Sequence, residues 1–480
     1  MGMQFVLLWT DAALWFVFVA LLAYVGRVMR QPLLRAPWVK VLRDPAALCS
    51  ALVLLLFVGL TLLDSVHFRR ALAPAPGQAA DRVYYDARVE SLLDVLLARQ
   101  LAMRESSYSE PLATEGFAKE AVTREGQTLR VHPRLQHGGA HLADPARERD
   151  ADIVRRALAG AAGGAALALG LSALLALGLR RAHGSWAQAW RDIGCDRTDW
   201  PWRAVLLLVV ALGLLGGPVL ALMDHYHVFG TDRTGNDVLV QALKSVRTAF
   251  VIGMLATLCT LPFALVLGIL AGYFGGWVDE VVQYLYTTLS SVPNVLLIAA
   301  CVLMVQVGLD KHPEWFETGA QRADLKIFLL CAILGVTGWA TLCRLVRAET
   351  LKLRELEFVQ AATAFGVPSA RIMARHIAPN VMHLVLITTV LNFSDLILYE
   401  AVLTYVGVGV DPGMNSFGGM INLARSEMSR DPTVWWSFAA AFGFMVSLVL
   451  AANLFADGVR DAFDPRARSL RPRRLSRSRG

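Results

Sequence analysis

Apolar runs too long for any water-soluble core recur along this 480-residue chain, and they constrain its fold more than any other feature. A stretch of about 18 or more apolar residues can cross the hydrocarbon of a bilayer as a helix. Nine such stretches are readable, at 5–26, 46–63, 157–179, 204–223, 248–273, 293–309, 327–345, 381–404 and 435–457. A hydrophobic content of 55% and a mean hydropathy of +0.48 agree, so the expected fold class is an all-α polytopic membrane protein. Six cysteines, at 49, 195, 259, 301, 331 and 343, show no CxxC pairing, and most sit in or beside apolar runs. They read as small core side chains rather than as a disulfide framework or metal cluster.

Nine spans place the termini on opposite sides of the membrane. With the N-terminus outside, the inside segments 27–45, 180–203, 274–292, 346–380 and 458–480 hold twenty-three Lys and Arg, against eight in the outside loops 224–247, 310–326 and 405–434. Basic residues near span ends resist translocation, so the N-terminus is expected outside and the C-terminus in the cytoplasm. The first run has no Lys or Arg before Arg27 and no small-x-small site close behind it, which reads as a retained anchor rather than a cleaved signal. The net charge of +7 and pI near 9.2 come largely from inside loops and the tail RARSLRPRRLSRSRG. That tail is read as a topology determinant touching anionic lipid, not as a nucleic-acid arm.

The chain divides into two spans with a basic loop (1–63), a hydrophilic insert (64–156), a third span with its linker (157–203), a six-span unit (204–458) and a basic tail (459–480). Within the insert, Val89, Leu92, Leu93 and Leu96 share one helical face, expected to form a small core of the insert's own. His132, His137 and His141 match no tight metal-ligand spacing. The third span, ALAGAAGGAALALGLSALLALGL, is rich in the small residues that let helices approach closely.

One polar segment interrupts the six-span unit: FVQAATAFGVPSARIMARHIAPN, residues 358–380. Phe358, Ala361, Ala362 and Phe365 fall at i, i+3, i+4 and i+7, a helical stripe. Gly366 supplies a C′ residue free to take positive φ, Pro368 stops the helix, and Ser369 is placed to cap a second short helix ending before Pro379. The product is a helix-turn-helix whose apolar stripe needs a cover of membrane, neighbouring loop or partner protein.

The pattern Gln360-Ala361-Ala362, Gly366, then Arg375-His376-Ile377-Ala378-Pro379-Asn380 resembles the cytoplasmic EAA loop of C-type permease subunits in the dipeptide/oligopeptide/nickel family of ABC importers. Gln360 stands where many relatives have Glu, and Ala378 where Leu is usual. Other blocks follow in the family's order over residues 225–467. VFGTDRTGNDVLVQALKSVRTAF is similar to its GTDxxGRD segment, with Asn236 for Arg, and LYEAVLTYVGVGVDPGMNSFGGMI to its E-x-x-LSFLGLGV stretch, with Phe417 for Trp. AGYFGGWVDEVVQYLYTTLSSVPNVLL and ADGVRDAFDPR are similar to two further family segments. The resemblance implies a six-helix permease core preceded by about three extra spans and a periplasmic insert, in a bacterial inner membrane. It also implies that the loop near 346–380 docks an ATPase through Phe358, Gln360, Ala361, Ala362, Phe365, Gly366, Arg371, Arg375, His376 and Pro379. The implied partners are a second permease, two ATPase subunits carrying ATP and magnesium, and a periplasmic solute-binding protein, with membrane lipid around them.

Read from the residues themselves, Thr231 or Asp232 can N-cap an amphipathic helix DVLVQALKSV lying on the outer membrane face, giving Gly230, Thr231, Asp232, Gly235 and Asp237 a structural role. Gly268 and Gly272 make a GxxxG packing face. Asp395 and Glu400 lie inside a span, where a carboxylate faces a cavity or a partner rather than lipid, either packing permease halves together or lining the solute path. Asp11 is expected near the membrane interface. No GxxxxGK[ST] occurs, so the chain cradles no nucleotide phosphate by a P-loop and energy must come from elsewhere. HExxH and GxSxG are absent too, which argues against an enzyme. The alternative is a proton-coupled secondary transporter relaying through Asp395 and Glu400; it leaves segment 358–380 without a purpose.

Overall fold

The computed structural model describes residues 3–72, 84–124, 127–183, 186–195, 198–316 and 318–463, so the basic tail beyond Phe463 lies outside the described residues. In the N-terminal third, strand β1 (Met3–Val6) precedes helices α1 (Trp9–Arg30), α2 (Pro32–Arg43) and α3 (Pro45–Asp64). The insert then supplies β2 (His67–Arg70), β3 (Glu90–Ser91), short helices α4 (Leu92–Leu96) and α5 (Ala98–Ala102), and hairpin strands β4 (Glu120–Arg124) and β5 (Gln127–Val131). Helices α6 (Pro145–His183), α7 (Trp186–Gly194) and α8 (Trp202–Leu222) follow. The remainder is α9 (Val238–Phe274), α10 (Gly276–Ser291), α11 (Asn294–Lys311), α12 (Gly319–Gly338), α13 (Ala340–Arg354), α14 (Glu357–Ala364), α15 (Ser369–Ile372), α16 (Ala378–Tyr405), α17 (Phe417–Glu427) and α18 (Trp436–Phe463).

Eight of these helices are long and apolar enough to cross a membrane, and α12 with α13, bent by 43° at their junction, makes a ninth. The chain is an all-α polytopic membrane protein, with the few strands among the described residues confined to the N-terminus and the insert. β1, β2 and β3 form an antiparallel sheet with β2 central, pairing Phe5 with Phe68 and His67 with Ser91.

Two expectations are corrected by the helices. DVLVQALKSV is not a separate amphipathic helix on the membrane face: it is the start of α9, and Val238, Leu239, Val240, Ala242, Ser245 and Val246 are all buried. No Gly or Pro breaks the chain until Gly253, so nothing separates the two segments. The insert's apolar stripe is likewise not its own core. Leu92 and Leu96 are exposed, whereas Leu93, Leu97 and Leu101 pack on Val240 and Leu243 of α9. The backbone kinks at Leu97 between α4 and α5, which turns the stripe to i, i+4, i+8.

The small residues of α6 meet those of α8. A Cβ on Gly164 would lie 2.0 Å from the Gly213 carbonyl oxygen, and one on Gly217 would lie 2.2 Å from that of Gly160, so the two backbones touch. Gly268 and Gly272 do the same for α9 against Val346 and Thr350 of α13. The N-terminal helices are built into the same core: Phe57 of α3 shares one buried cluster with Phe250, Ile397, Phe417 and Trp436.

Candidate functional site

Three regions hold the residues singled out by sequence. The first is the elbow from Glu357 to Ile377. Helix α14 ends at Ala364 with Phe365 as its C-cap, and Gly366 takes φ +72°, a left-handed conformation that glycine adopts without a Cβ clash. Pro368, not Ser369, is the N-cap of α15, and no side chain caps that helix. The second helix does not stop before Pro379. It widens into one π-helical turn, Met373–Ile377, and continues as α16 with Pro379 in its first turn. The wide turn removes the clash between a proline ring and the carbonyl four residues earlier, and Asn380 Nδ2 donates to the His376 carbonyl at 2.6 Å.

The elbow is fixed from behind and bare in front. Val359, Ile372, Ile377 and Val381 are fully buried against α9, α10 and α13. The expected stripe is rotated: Ala362 packs inward beside Val359, whereas Phe358 is 45% and Phe365 87% exposed. Gln360, Ala361, Gly366, Arg371, Arg375 and Pro379 are exposed as well, and His376 is half-buried with its ring 6.0 Å from that of Phe358. Behind the elbow, Arg347 Nη2 donates to Asp279 Oδ2 at 2.7 Å; that bond holds the Asp279 carboxyl below its usual range and ties α13 to α10.

The second region is the GTDRTGND turn, which the insert clasps. Thr231 Oγ1 donates to the Ser107 carbonyl at 2.8 Å and accepts from the Ser109 amide at 2.7 Å, while Trp436 Nε1 donates to the Thr231 carbonyl at 2.9 Å. Asp232 accepts from the amides of Thr234 and Asn236 and shapes the turn. Neither Thr231 nor Asp232 caps α9; Asp237 does, accepting from Leu239 and Val240. Gly230 and Gly235 have φ of +69° and +77°, and a Cβ on Gly235 would lie 1.9 Å from the Glu105 carbonyl oxygen. His227 is buried between two carboxylates, its Nδ1 2.8 Å from Asp237 Oδ2 and its Nε2 3.5 Å from Glu105 Oε1. Burial alone would lower the His227 pKa, but the two carboxylates outweigh it and push it up to about 9. Burial would raise the Glu105 carboxyl; His227 and the amides of Gln136, His137 and Gly138 outweigh it and hold it at about 2.

The third region lies in the spans and at their ends. Asp11, in the first turn of α1, is 1% exposed and accepts from Arg247 Nη2 at 2.6 Å and from Ser65 Oγ at 2.8 Å, with His67 Nδ1 at 2.7 Å, the last two just past the end of α3. Asp324 of α12, also fully buried, accepts from the Thr10 amide and hydroxyl and stands 3.8 Å from Arg247. A buried arginine thus ties α1 to α9 and α12, a network that no spacing in the sequence signalled. Glu400 and Asp395 differ. Glu400 is 1% exposed and accepts from Thr404 Oγ1 at 2.8 Å, and that hydroxyl accepts from the Val410 amide. It fastens the Gly-Val-Gly-Val turn onto the end of α16. Asp395 faces a cavity of about 200 Å³. Among the insert histidines, His132 Nδ1 lies 2.9 Å from the Gly116 carbonyl and His141 Nε2 lies 2.8 Å from Asp152, so the two have different partners.

Comparison with known proteins matches this architecture. The model of the binding-protein-dependent transport system inner membrane component family matches residues 264–469. The oligopeptide transport system permease protein OppC of Mycobacterium tuberculosis is 34% identical over 245 residues, covering 51% of this chain and 78% of that protein. OppC of Haemophilus influenzae is 32% identical over 246 residues, 51% of this chain and 72% of that protein. The dipeptide transport system permease protein DppC of Alkalihalophilus pseudofirmus is 32% identical over 243 residues, 51% and 73%. With a span-rich fold, a relative matched over most of its length and the family model covering the elbow and both intramembrane carboxylates, this chain belongs to the binding-protein-dependent inner membrane permeases of peptide-type ABC importers.

Proposed function

We propose that this chain is the permease subunit of an ATP-driven importer of peptides or peptide-like solutes, and that its elbow, Glu357 to Ile377, is the part that receives force from an ATPase subunit. The observation that carries the reading is Phe365. A phenylalanine 87% exposed at the C-cap of α14, on an elbow that also carries exposed Arg371 and Arg375, is an apolar knob on a basic segment. Its backbone is held by a buried core of Val359, Ile372 and Ile377, so a push on the knob moves α13 and α16 rather than bending a loop. Apolar area of this kind calls for a partner.

The full assembly on this reading has a second permease, two ATPase subunits that bind ATP and magnesium, and a periplasmic solute-binding protein. The chain sits in the inner membrane with the elbow and C-terminus in the cytoplasm, and the GTDRTGND turn with its clasping insert on the periplasmic side. The test is a cysteine at Ala361 or Phe365 in a background with the six native cysteines replaced, in the transporter expressed with its neighbouring ATPases. A crosslink to an ATPase that changes with nucleotide is the expected result. An assembled, active transporter with no crosslink at either position would remove the elbow from the docking role.

A further inference from the structure

The cavity beside Asp395 is walled by α9, α11, α12, α13 and α16. Thr389, Asn392, Asp395 and Tyr399 succeed one another at intervals of three, three and four along α16, so they stand on one helical face. Asn294 of α11 and Thr341 of α13 close the cavity from the other side. Among the described residues none of these six side chains has a hydrogen-bond partner, and the Thr389 hydroxyl is buried without one. Among the described residues, Asp395 is the only charged one in the lining.

Inside a bilayer this arrangement has a definite chemical meaning. An unsatisfied polar group in hydrocarbon costs several kcal/mol, and a carboxylate more, so this face meets water or a polar ligand and not lipid. Asp395 lies ten residues before the end of α16, about 15 Å along the helix, too deep for its short side chain to reach the interface. Glu400, one turn above, is excluded from the same role because its carboxylate is bound to Thr404 and enclosed. The cavity therefore presents one fixed negative charge, neutral hydroxyl and amide groups, and no competing cation.

We propose that Asp395 is the anionic point of a solute-binding groove in the permease, and that the solutes it holds carry a cation, an ammonium or a guanidinium. The proposal rests on the permease reading above and narrows it to a substrate class. Asn392 and Thr389 offer acceptors and donors for the amide groups of such a solute, and Tyr399 a ring and a hydroxyl. The remaining polar contacts are uncharged, so selection falls on the cation while the rest of the solute varies.

The experiment uses the assembled transporter in proteoliposomes, with the six native cysteines replaced and a single cysteine at Asn392. Its labelling by a trimethylammonium-bearing and by a sulfonate-bearing methanethiosulfonate is timed with Asp395 and with Asp395→Asn. Divided by the two reagents' rate ratio on a free small thiol, the preference for the cationic reagent is about tenfold or more beside the carboxylate, and this normalised ratio falls toward one in Asp395→Asn. Trilysine slows labelling only while Asp395 is present. Equal ratios in the two proteins overturn the proposal, and so does a thiol that neither reagent reaches in any nucleotide state, because the face is then covered by the partner permease. If Asn392→Cys does not assemble, Tyr399→Cys reports on the same charge from the next turn. ATP-driven import of trilysine and trialanine by the wild type is measured in parallel. Import with a flat reagent ratio removes the groove and leaves the permease standing; absence of import removes the permease reading, and the groove as a transport site with it.

Discussion

Arg247 is the residue on which the N-terminal helices most depend. Removing one partner from a buried charge cluster leaves the others uncompensated in a low-dielectric interior, which costs more than the intact cluster contributes. Arg247→Met should therefore destabilise the protein by about 3–5 kcal/mol, read as a fall in the thermal midpoint of the detergent-solubilised chain. A change of under about 1 kcal/mol would show that Asp11 and Asp324 find other partners. The His227 clasp carries a pH dependence whose sign is set by its two shifts. Raised from 6.5 to about 9, His227 contributes stability that is complete below the unfolded value and lost as pH rises through about 9. Glu105, lowered from 4.5 to about 2, contributes stability present above 4.5 and lost as pH falls through about 2. The insert should be held hardest between those unfolded values, and limited proteolysis should cut it faster near about pH 10 than near about pH 6. His227→Gln should flatten that difference.

At the scale of elements, close contact and bare surface make opposite predictions. Gly164→Leu forces α6 away from α8, because even a Cβ there overlaps the Gly213 carbonyl, and the thermal midpoint should fall. Phe365→Ala removes an 87% exposed side chain and should leave stability within about 0.5 kcal/mol while lowering solute-stimulated ATP hydrolysis by the assembled transporter. Normal stimulation in that variant would argue against Phe365 as the docking knob. The elbow's punctuation was legible in the chain, since Gly366 and Pro368 act locally. Its facing was not, because the stripe Phe358, Ala361, Ala362 and Phe365 is compatible with burial on either side, and only the packing of Val359 on α13 and α10 chose. The helix through Pro379 was misread for a related reason: a proline reads as a stop unless a wide turn makes room for it.

Across the whole molecule, the extra N-terminal helices are part of the core that carries the family's blocks. Phe57 of α3 packs among Phe250, Ile397 and Trp436, and Arg247 of α9 is neutralised by Asp11 of α1. A chain lacking residues 1–63 should expose this apolar surface and leave Arg247 without Asp11, and it should elute as aggregate in detergent size-exclusion chromatography. A monodisperse truncated protein would show that α1 to α3 are appended to the core and not built into it. The insert joins the same unit from above, through Glu105, Ser107 and Ser109 on the GTDRTGND turn.

The sequence by itself determined the membrane class, the place of the nine spans and the family, because hydrophobic length and local punctuation are written in consecutive residues; it missed the polar ends by which α6, α9 and the α12–α13 pair run past their apolar stretches. The polar face of Thr389, Asn392, Asp395 and Tyr399 was also there to be read, as a three-to-four spacing inside an apolar run. Tertiary structure alone decided what each charge means. Asp11 and Glu400 are buried and partnered, whereas Asp395 opens onto a cavity, and the difference lies in Arg247, Thr404 and the cavity walls, which are brought to these carboxylates by folding or by helix geometry and not by apolar patterning. In a bilayer interior the partner sets whether a carboxylate holds a structure together or waits for a ligand.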